Sequence, residues 1–303
     1  PQARGVLAAF GGDQRPERVL TRPVPEGCEV FASFSSDSRS LLCPTRNSVV
    51  VWEWRSGQRL WSRELEVGRA EWGMDDRLFV LTRSNELYRF DATGRSESVV
   101  PFPAGGEMVL GSGVDDVRFS RGDVWMQVDV TSGRVTEHPG CPVRASSMIP
   151  GPGPALRRCQ DDTLIRYSDQ GEETGRWEIP GTSRWSAAAR VGEVVYGGTH
   201  EGEVVVVDLR TGRHQTMSFG SGVLQLLPVP GTDLVMVRGE RGGARIWDAR
   251  RQVWLGRLPG EARHLSVGSA PGEVLVLGEE ITVWRLPTAI RPSAIQTDAG
   301  LSS

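Results

Sequence analysis

One motif recurs along the whole chain. In each copy a short apolar run ends near an aromatic residue or Asp, and a turn containing Gly or a basic residue leads into a second run. The copies read VVVWEWRSGQ (49–58), LYRFDATGR (87–95), WMQVDVTSGR (125–134), IRYSDQGEETGR (165–176), VVVVDLRTGR (204–213) and ARIWDARRQ (244–252). The turn glycines Gly57, Gly94, Gly133, Gly175 and Gly212 follow one another after 37, 39, 42 and 37 residues. A period near 40 residues with several short strands in each unit predicts a β-propeller.

The chain divides into seven units of up to four strands, which we call a to d from the axis outward. In the first unit we expect strands at 29–35, 40–43, 48–54 and 59–66, and the later c strands at 86–91, 123–129, 163–168, 203–208, 243–248 and 280–286. No d strand is evident after Leu286, so the segment 18–24 is expected to join the last blade and close the ring. The prediction is a single all-β, seven-bladed propeller of four-stranded antiparallel blades over 18–286. It is preceded by an extension or linker (1–17) and followed by a tail (287–303).

Composition restricts the possible partners. The net charge is −3 and the pI is near 5.9, which argues against a nucleic-acid-binding surface. No apolar run approaches the roughly 20 residues needed to cross a bilayer, so we expect no membrane insertion. The chain starts at Pro1, and we expect it to belong to a longer protein with attached domains. All 35 basic residues are Arg, which is what a GC-rich genome produces and which excludes Schiff-base chemistry on a Lys.

The four cysteines are Cys28, Cys43, Cys141 and Cys159, and they form no Cys-x-x-Cys pair. Zinc binding and thiol redox motifs are therefore not indicated. Each pair, 28 with 43 and 141 with 159, flanks neighbouring strands of one blade, so bridges could form in an oxidising compartment. The favoured expectation is buried free thiols in a cytoplasmic protein, and the alternative is a bridged protein of the periplasm or exterior.

Several segments resemble the WD-repeat propeller family. FASFSSDSRSLL (31–42) is similar to the opening of such a repeat, and GGTHEGEVVVVDLRTG (197–212) to its second half. RGERGGARIWDARR (238–251) carries a Trp-Asp pair, and VVVWEW (49–54) and TVWRL (282–286) keep the Trp. The resemblance covers about 18–286 and is that of a divergent member, because no Gly-His dipeptide precedes any strand a, and the sequence is similar to bacterial ones. It implies a non-catalytic scaffold for proteins or peptides.

The recurring Asp and Trp residues are predicted to be structural. An Asp at the end of strand c accepts backbone N–H groups in the turn, and a Trp fills the wedge between blades. These residues are Asp91, Asp129, Asp208, Asp248, Trp52, Trp247 and Trp284.

A second resemblance is to quinone-dependent dehydrogenases, carried by WRSGQRLW (54–61) and DATGR (91–95). It would imply a quinone and Ca²⁺ held by clustered carboxylates. The Asp pairs 75–76, 115–116 and 161–162 fall in turns or near strand ends of different blades, so convergence of the roughly six to eight oxygen ligands of Ca²⁺ is not expected. The four histidines show no metal-binding spacing; His138 and His214, on outer strands, are expected to be solvated. We therefore predict no cofactor, no metal site and no catalytic residue.

Arginines stand at or beside the start of four innermost strands. Arg69, Arg144, Arg184 and Arg263 could form a partial cationic ring at one mouth of the channel and bind an acidic peptide. Trp72 and Trp185 lie within three residues of two of them and could offer stacking surfaces. Further contact residues are predicted in the b–c and d–a loops, which share one face of a propeller; they are Arg46, Arg83, His200, Glu201 and Arg241.

The resulting hypothesis is a non-catalytic interaction scaffold or sensor domain that binds a protein or acidic peptide on one propeller face. Two alternatives remain open at this point. One is a propeller enzyme of the quinone-dependent or lactonase kind, and the other is a periplasmic scaffold for envelope assembly.

Overall fold

The computed structural model describes residues 16–287, except 27, 29–31, 36, 74, 104–106, 111–115, 122, 142–147, 150–153, 169, 230 and 269. Within these residues 28 strands form seven antiparallel sheets of four strands each. Blades 1 to 6 each use four consecutive strands. The strands are, in blade 1, β2 (Ser33–Phe34), β3 (Ser40–Pro44), β4 (Ser48–Glu53) and β5 (Gln58–Glu64); in blade 2, β6 (Val67–Trp72), β7 (Leu78–Thr82), β8 (Glu86–Phe90) and β9 (Ser96–Pro101); in blade 3, β10 (Glu107–Leu110), β11 (Asp116–Arg121), β12 (Val124–Asp129) and β13 (Val135–Pro139); in blade 4, β14 (Met148–Ile149), β15 (Ala155–Arg158), β16 (Thr163–Tyr167) and β17 (Glu173–Glu178); in blade 5, β18 (Trp185–Val191), β19 (Val194–Thr199), β20 (Glu203–Asp208) and β21 (His214–Ser218); in blade 6, β22 (Val223–Pro228), β23 (Leu234–Gly239), β24 (Ala244–Asp248) and β25 (Val253–Leu258).

Blade 7 takes its outer strand from the beginning of the chain. Its sheet order is β26 (His264–Val267), β27 (Glu273–Leu277), β28 (Glu280–Arg285) and then β1 (Glu17–Pro23). β1 pairs antiparallel with β28 from Glu17 opposite Arg285 to Pro23 opposite Glu280. Leu20 of β1 packs against the buried cluster that joins blades 7 and 1. The predicted seven-bladed propeller, and its closure by the segment after residue 17, are thereby confirmed.

Tryptophans fill the space between blades. Trp247 is fully buried and packs with Tyr196 and Val223 in a cluster built from blades 5 and 6. Its ring meets that of Tyr196 edge to face, with centroids 6.0 Å apart. Trp284 is 7% exposed in the cluster between blades 6 and 7. Because a Trp buries a large flat area, these side chains set the spacing of neighbouring blades, as predicted.

The turns between strands c and d confirm the role predicted for their Asp residues. Asp129 Oδ1 accepts the backbone N–H groups of Thr131 and Ser132, each at 2.9 Å. Those two bonds hold the pKa of the Asp129 carboxyl below its usual value, because they stabilise the charged form. The Asp91, Asp208 and Asp248 carboxylates accept backbone N–H groups of their own turns in the same way.

One predicted turn glycine was misplaced. Gly57, Gly94, Gly133 and Gly212 adopt positive φ in c–d turns, as expected. Gly175, however, lies inside β17 opposite Arg166, and the turn of blade 4 uses Gly171 at φ +80°. The longer spacing around Gly175 arises because the second Gly of GEETGR belongs to the strand and not to the turn.

Two further expectations were wrong. All four cysteines are bridged, Cys28 to Cys43 and Cys141 to Cys159, with Cα atoms 4.8 and 5.6 Å apart, so buried free thiols are not present.

His138 lies on β13 as expected, but it is 7% exposed and its ring stacks on Trp125 with centroids 4.1 Å apart. Burial, and the charge of Arg118, lower the pKa of His138, so the ring is neutral at pH 7.

Candidate binding face

The alternating strand directions divide the loops between two faces of the ring. In an antiparallel blade the b–c loop and the connection into the next strand a lie at one edge, and the a–b and c–d turns lie at the other. We call the first edge the b–c face and the second the c–d face. The c–d face carries the Asp turns described above, whose carboxylates are committed to backbone N–H groups.

The five predicted loop residues all lie exposed on the b–c face. They are Arg46, Arg83, His200, Glu201 and Arg241, in the b–c loops of blades 1, 2, 5 and 6. His200 Nδ1 lies 3.0 Å from Oε1 of Glu240, which joins the loops of blades 5 and 6. The pKa of Glu201 is lowered by its own backbone N–H, by Thr199 and by the nearby charges of Arg184 and His200. The face therefore presents charges of both signs.

The structure does not support the two tryptophans as contact residues of this face. Trp185 begins β18 but is 3% exposed and packs into the cluster of blades 4 and 5. A Cβ at Gly197 in the neighbouring strand β19 would come within 2.1 Å of its ring, so the absence of a side chain there makes room for the indole. Trp72 ends β6, which places it at the c–d face, where its Nε1 donates to the Ser33 carbonyl of blade 1 at 3.2 Å. Both rings hold neighbouring blades together.

Three of the four arginines predicted to ring the channel mouth lie at different positions around the starts of their innermost strands. Arg69 lies within β6 opposite Leu81, Arg184 ends the 3-10 turn Thr182–Arg184, and Arg263 directly precedes β26. Two of them pair with a Glu two residues away: Arg69 Nη2 lies 2.5 Å from Glu71 Oε1, and Arg263 Nε lies 3.8 Å from Glu261 Oε1. Arg144 lies outside the described residues. Arg69 and Glu71 are alternate residues of β6 and therefore share one face of the strand, a pairing that the sequence analysis did not consider.

A positive charge that the sequence analysis missed lies deeper, between blades 6 and 7. Arg238 is the penultimate residue of β23 and is paired with Gln225 of β22. The Gln225 amide donates to the Leu265 carbonyl at 2.7 Å and accepts the Leu265 N–H at 2.9 Å, so it bonds to the innermost strand of blade 7. Burial and the charge of Arg238 lower the pKa of His264, which begins that strand, to about 4. The only sign of this buried charge in the sequence is the single Arg within the apolar strand β23.

The described part of the chain contains neither a cluster of metal-ligand residues nor a membrane-spanning helix. No three His, Cys, Asp or Glu side chains there are grouped as metal ligands would be. Nor does that part contain a helix with the length and apolar character that crossing a bilayer requires. Asp76 and Asp162 are turn residues at φ +60° and +62°, whereas Asp116 begins strand β11 opposite Asp129.

Comparison with known proteins supports the fold and little else. No family model matches the sequence, and no curated protein matches it. Among solved structures, a chain of a crystal structure of a mitotic checkpoint complex is similar over 91% of this chain and 93% of that one. The TM-score is 0.67 and the identity 15%. A likeness at this identity establishes a shared propeller fold with a component of a protein complex, and fold alone does not fix function.

Proposed function

We propose that this chain is a non-catalytic scaffold or sensor domain that binds a protein or peptide through its b–c face. The observation that carries the proposal is the contrast between the two faces. The c–d turns use their carboxylates to fix their own backbone, as Asp129 does. The b–c loops leave Arg46, Arg83 and Arg241 exposed on a closed ring, whereas the exposed arginines of the c–d turns lie beside carboxylates that are committed to turn backbone. Loops on a rigid support are where binding residues concentrate.

The charges of the b–c face favour a protein or peptide over nucleic acid. His200 with Glu240, Arg69 with Glu71 and Arg263 with Glu261 place acids beside bases, so the face is not a uniform basic surface. A phosphate backbone requires clustered uncompensated Lys or Arg. The similarity to a component of a protein complex agrees with a protein partner. The WD-repeat resemblance supports the same class of function.

We also propose that the protein resides in an oxidising compartment, the periplasm or the cell exterior, instead of the cytoplasm. Both cysteine pairs are bridged, and every cysteine in the chain belongs to a bridge. Structural disulfides persist where thiols are not kept reduced. Thiol alkylation and mass measurement of protein from its native compartment tests this: no alkylation before reduction is expected, and four alkylated thiols would refute it.

The binding proposal is tested by capture with matched variants. The variant Arg46→Ser/Arg83→Ser/Arg241→Ser removes three exposed arginines from the b–c face. The control Arg95→Ser/Arg134→Ser/Arg213→Ser removes three exposed arginines from c–d turns. Native chain and both variants are used as bait in lysate of the source organism, with mass spectrometry of the eluate and metal analysis of the bait.

We expect one or a few proteins to be recovered by the native chain and by the c–d control, and to be depleted with the b–c variant. Equal recovery by both variants would refute the choice of face. A stoichiometric metal or small cofactor in the bait, with no protein recovered, would refute the scaffold and favour the enzyme alternative.

A further inference from the structure

The strand that closes the ring, β1, is attached differently from the outer strands of blades 1 to 6. Each of those strands follows the third strand of its own blade through a c–d turn, as β25 follows β24. β1 pairs instead with β28, and because the two strands are far apart in the sequence, no turn joins them. β1 is therefore held in blade 7 by non-covalent contacts and by its connection to blade 1.

The side chains of β1 anchor it weakly. All seven of its residues are exposed or half-buried, whereas Trp61 of β5 and Val100 of β9 are only 8% and 7% exposed. Leu20 packs against the buried cluster of blades 7 and 1 but is itself half-buried. The ion pair of Glu17 with Arg285 of β28 spans 3.7 Å at the surface, where such pairs contribute little. The retention of β1 therefore depends on its backbone pairing with β28 and on the length of its connection to blade 1.

The Cys28–Cys43 disulfide shortens that connection. Cys28 lies five positions after Pro23, the last residue of β1, and its Cα is 4.8 Å from that of Cys43 in β3. Without the bridge, the next residue held by strand pairing is Ser33 of β2, ten positions after Pro23. The effective concentration of a tethered group falls roughly as the −3/2 power of tether length, so doubling the tether lowers it about threefold.

The second disulfide has the same place in its own blade but a different consequence. Cys141 follows the outer strand β13, and Cys159 follows β15, the second strand of blade 4, so this bridge also joins an entering connection to a second strand. β13, however, follows β12 through the turn at 130–134 and pairs with it along its whole length. Opening the Cys141–Cys159 bridge therefore leaves β13 attached to its own blade.

We propose that the Cys28–Cys43 disulfide is a reducible clasp on the closure of the ring, which a dithiol opens so that β1 can leave β28. Cys28 is half-buried and Cys43 is 1% exposed, so a thiolate of the reductant attacks the Cys28 sulfur and Cys43 departs as a thiolate that takes up a proton. The second thiol of the reductant then displaces Cys28 from the mixed disulfide. The reductant ends as its own disulfide, and both cysteines end as thiols.

Release of β1 changes the surface of blade 7. β28 becomes the edge of its sheet, and the backbone N–H and C=O groups that paired with β1 become free to pair with another strand. The clasp thus couples the redox state of one cysteine pair to the closure of the ring. It goes beyond the proposed binding function, because it does not depend on which face holds the partner.

The clasp is tested by hydrogen exchange of the whole chain, with the amides of β1 and β28 as probes and those of β5, β9 and β25 as the comparison. Cys28→Ala/Cys43→Ala removes the clasp. Cys141→Ala/Cys159→Ala is the matched control, because it removes a bridge of similar sequence separation, 18 against 15 residues. A dithiol reductant added to the folded control variant opens the clasp alone, so the test does not depend on the folding of Cys28→Ala/Cys43→Ala.

We expect β1 and β28 to exchange about threefold faster or more in Cys28→Ala/Cys43→Ala than in oxidised Cys141→Ala/Cys159→Ala. Reductant should produce the same increase in the control variant and should have no effect on Cys28→Ala/Cys43→Ala in these two strands. The strands β5, β9 and β25 should exchange at the same rate in both variants.

Two results would overturn the clasp. One is exchange of β1 and β28 that is equal in the two variants and unchanged when the control variant is reduced. The other is faster exchange spread evenly over all outer strands when the Cys28–Cys43 bridge is open, since the bridge would then stabilise the whole ring and not its closure.

Discussion

The two disulfides should supply a large share of the stability of this propeller. They close loops of 15 and 18 residues by sequence separation. A cross-link removes conformational entropy from the unfolded chain, and loops of these lengths correspond to about 3 kcal/mol each. We therefore expect a reducing agent to lower the free energy of unfolding of the native chain by about 6 kcal/mol in total.

The assay is equilibrium urea unfolding, with and without reductant, followed by Trp fluorescence. The variant Cys28→Ala/Cys43→Ala keeps one bridge, so reductant should cost it about 3 kcal/mol, half the loss of the native chain. A variant with all four cysteines replaced by Ala reports any effect of the reductant that does not involve a bridge. It also separates loss of the cross-link from loss of packing at Cys43 and Cys159, which are 1% and 2% exposed.

A reversible transition that reductant does not shift would refute the reasoning, since the bridges would then either be absent or contribute nothing. A loss in the native chain that is absent from Cys28→Ala/Cys43→Ala, or a loss of equal size in both, would show that only one of the two pairs is bridged. Mass measurement after alkylation of the unreduced chain distinguishes these two cases.

Three further predictions follow from the turns and the blade interfaces. Asp129→Ala should lower the free energy of unfolding by about 1–2 kcal/mol at pH 7, because two backbone N–H groups lose a charged acceptor. The pKa of Asp129 in the folded chain lies below the usual 3.8, so its contribution to the free energy of unfolding is fully present above pH 3.8 and is lost as pH falls through the folded pKa. In urea unfolding curves measured at decreasing pH, the difference between Asp129→Ala and the native chain should therefore shrink. A difference that stays constant with pH would contradict this role of Asp129. Trp247→Ala should cost about 3–5 kcal/mol in the same assay, as for other fully buried Trp residues, and a loss below about 1 kcal/mol would show that the blades repack around the site. Gly94→Ala should destabilise more than Gly57→Ala, because both glycines have positive φ but a Cβ at Gly94 would meet the Trp61 ring at 2.4 Å while nothing lies within 4 Å of one at Gly57; equal thermal shifts would contradict that difference.

The sequence predicted the ring well because the same pattern of strand and turn recurs from blade to blade. Alternating apolar residues and a turn near each Asp locate strand c, and the observed strands Glu86–Phe90, Glu203–Asp208 and Glu280–Arg285 begin where the pattern begins. The missing outer strand of the last unit, with an unassigned run at 18–24, predicted the pairing of β1 with β28.

The binding face was harder to predict because it depends on contacts between blades. Trp185 and Trp72 looked like surface residues next to arginines, and only the assembled ring shows that one is buried and the other bonds to blade 1. Arg238 looked like one of 35 basic residues. Its lack of a counter-charge is a property of the interface between blades 6 and 7, which no local pattern reports.

Hydrogen exchange of the native chain, measured alone and with the protein partner recovered by capture, tests the central claim most directly. We expect slower exchange on binding in the b–c loops at 45–47, 83–85, 200–202 and 240–243, with the c–d turns at 91–95, 130–134 and 209–213 unchanged. Protection confined to the c–d turns, or none on either face, would contradict the b–c face as the binding surface.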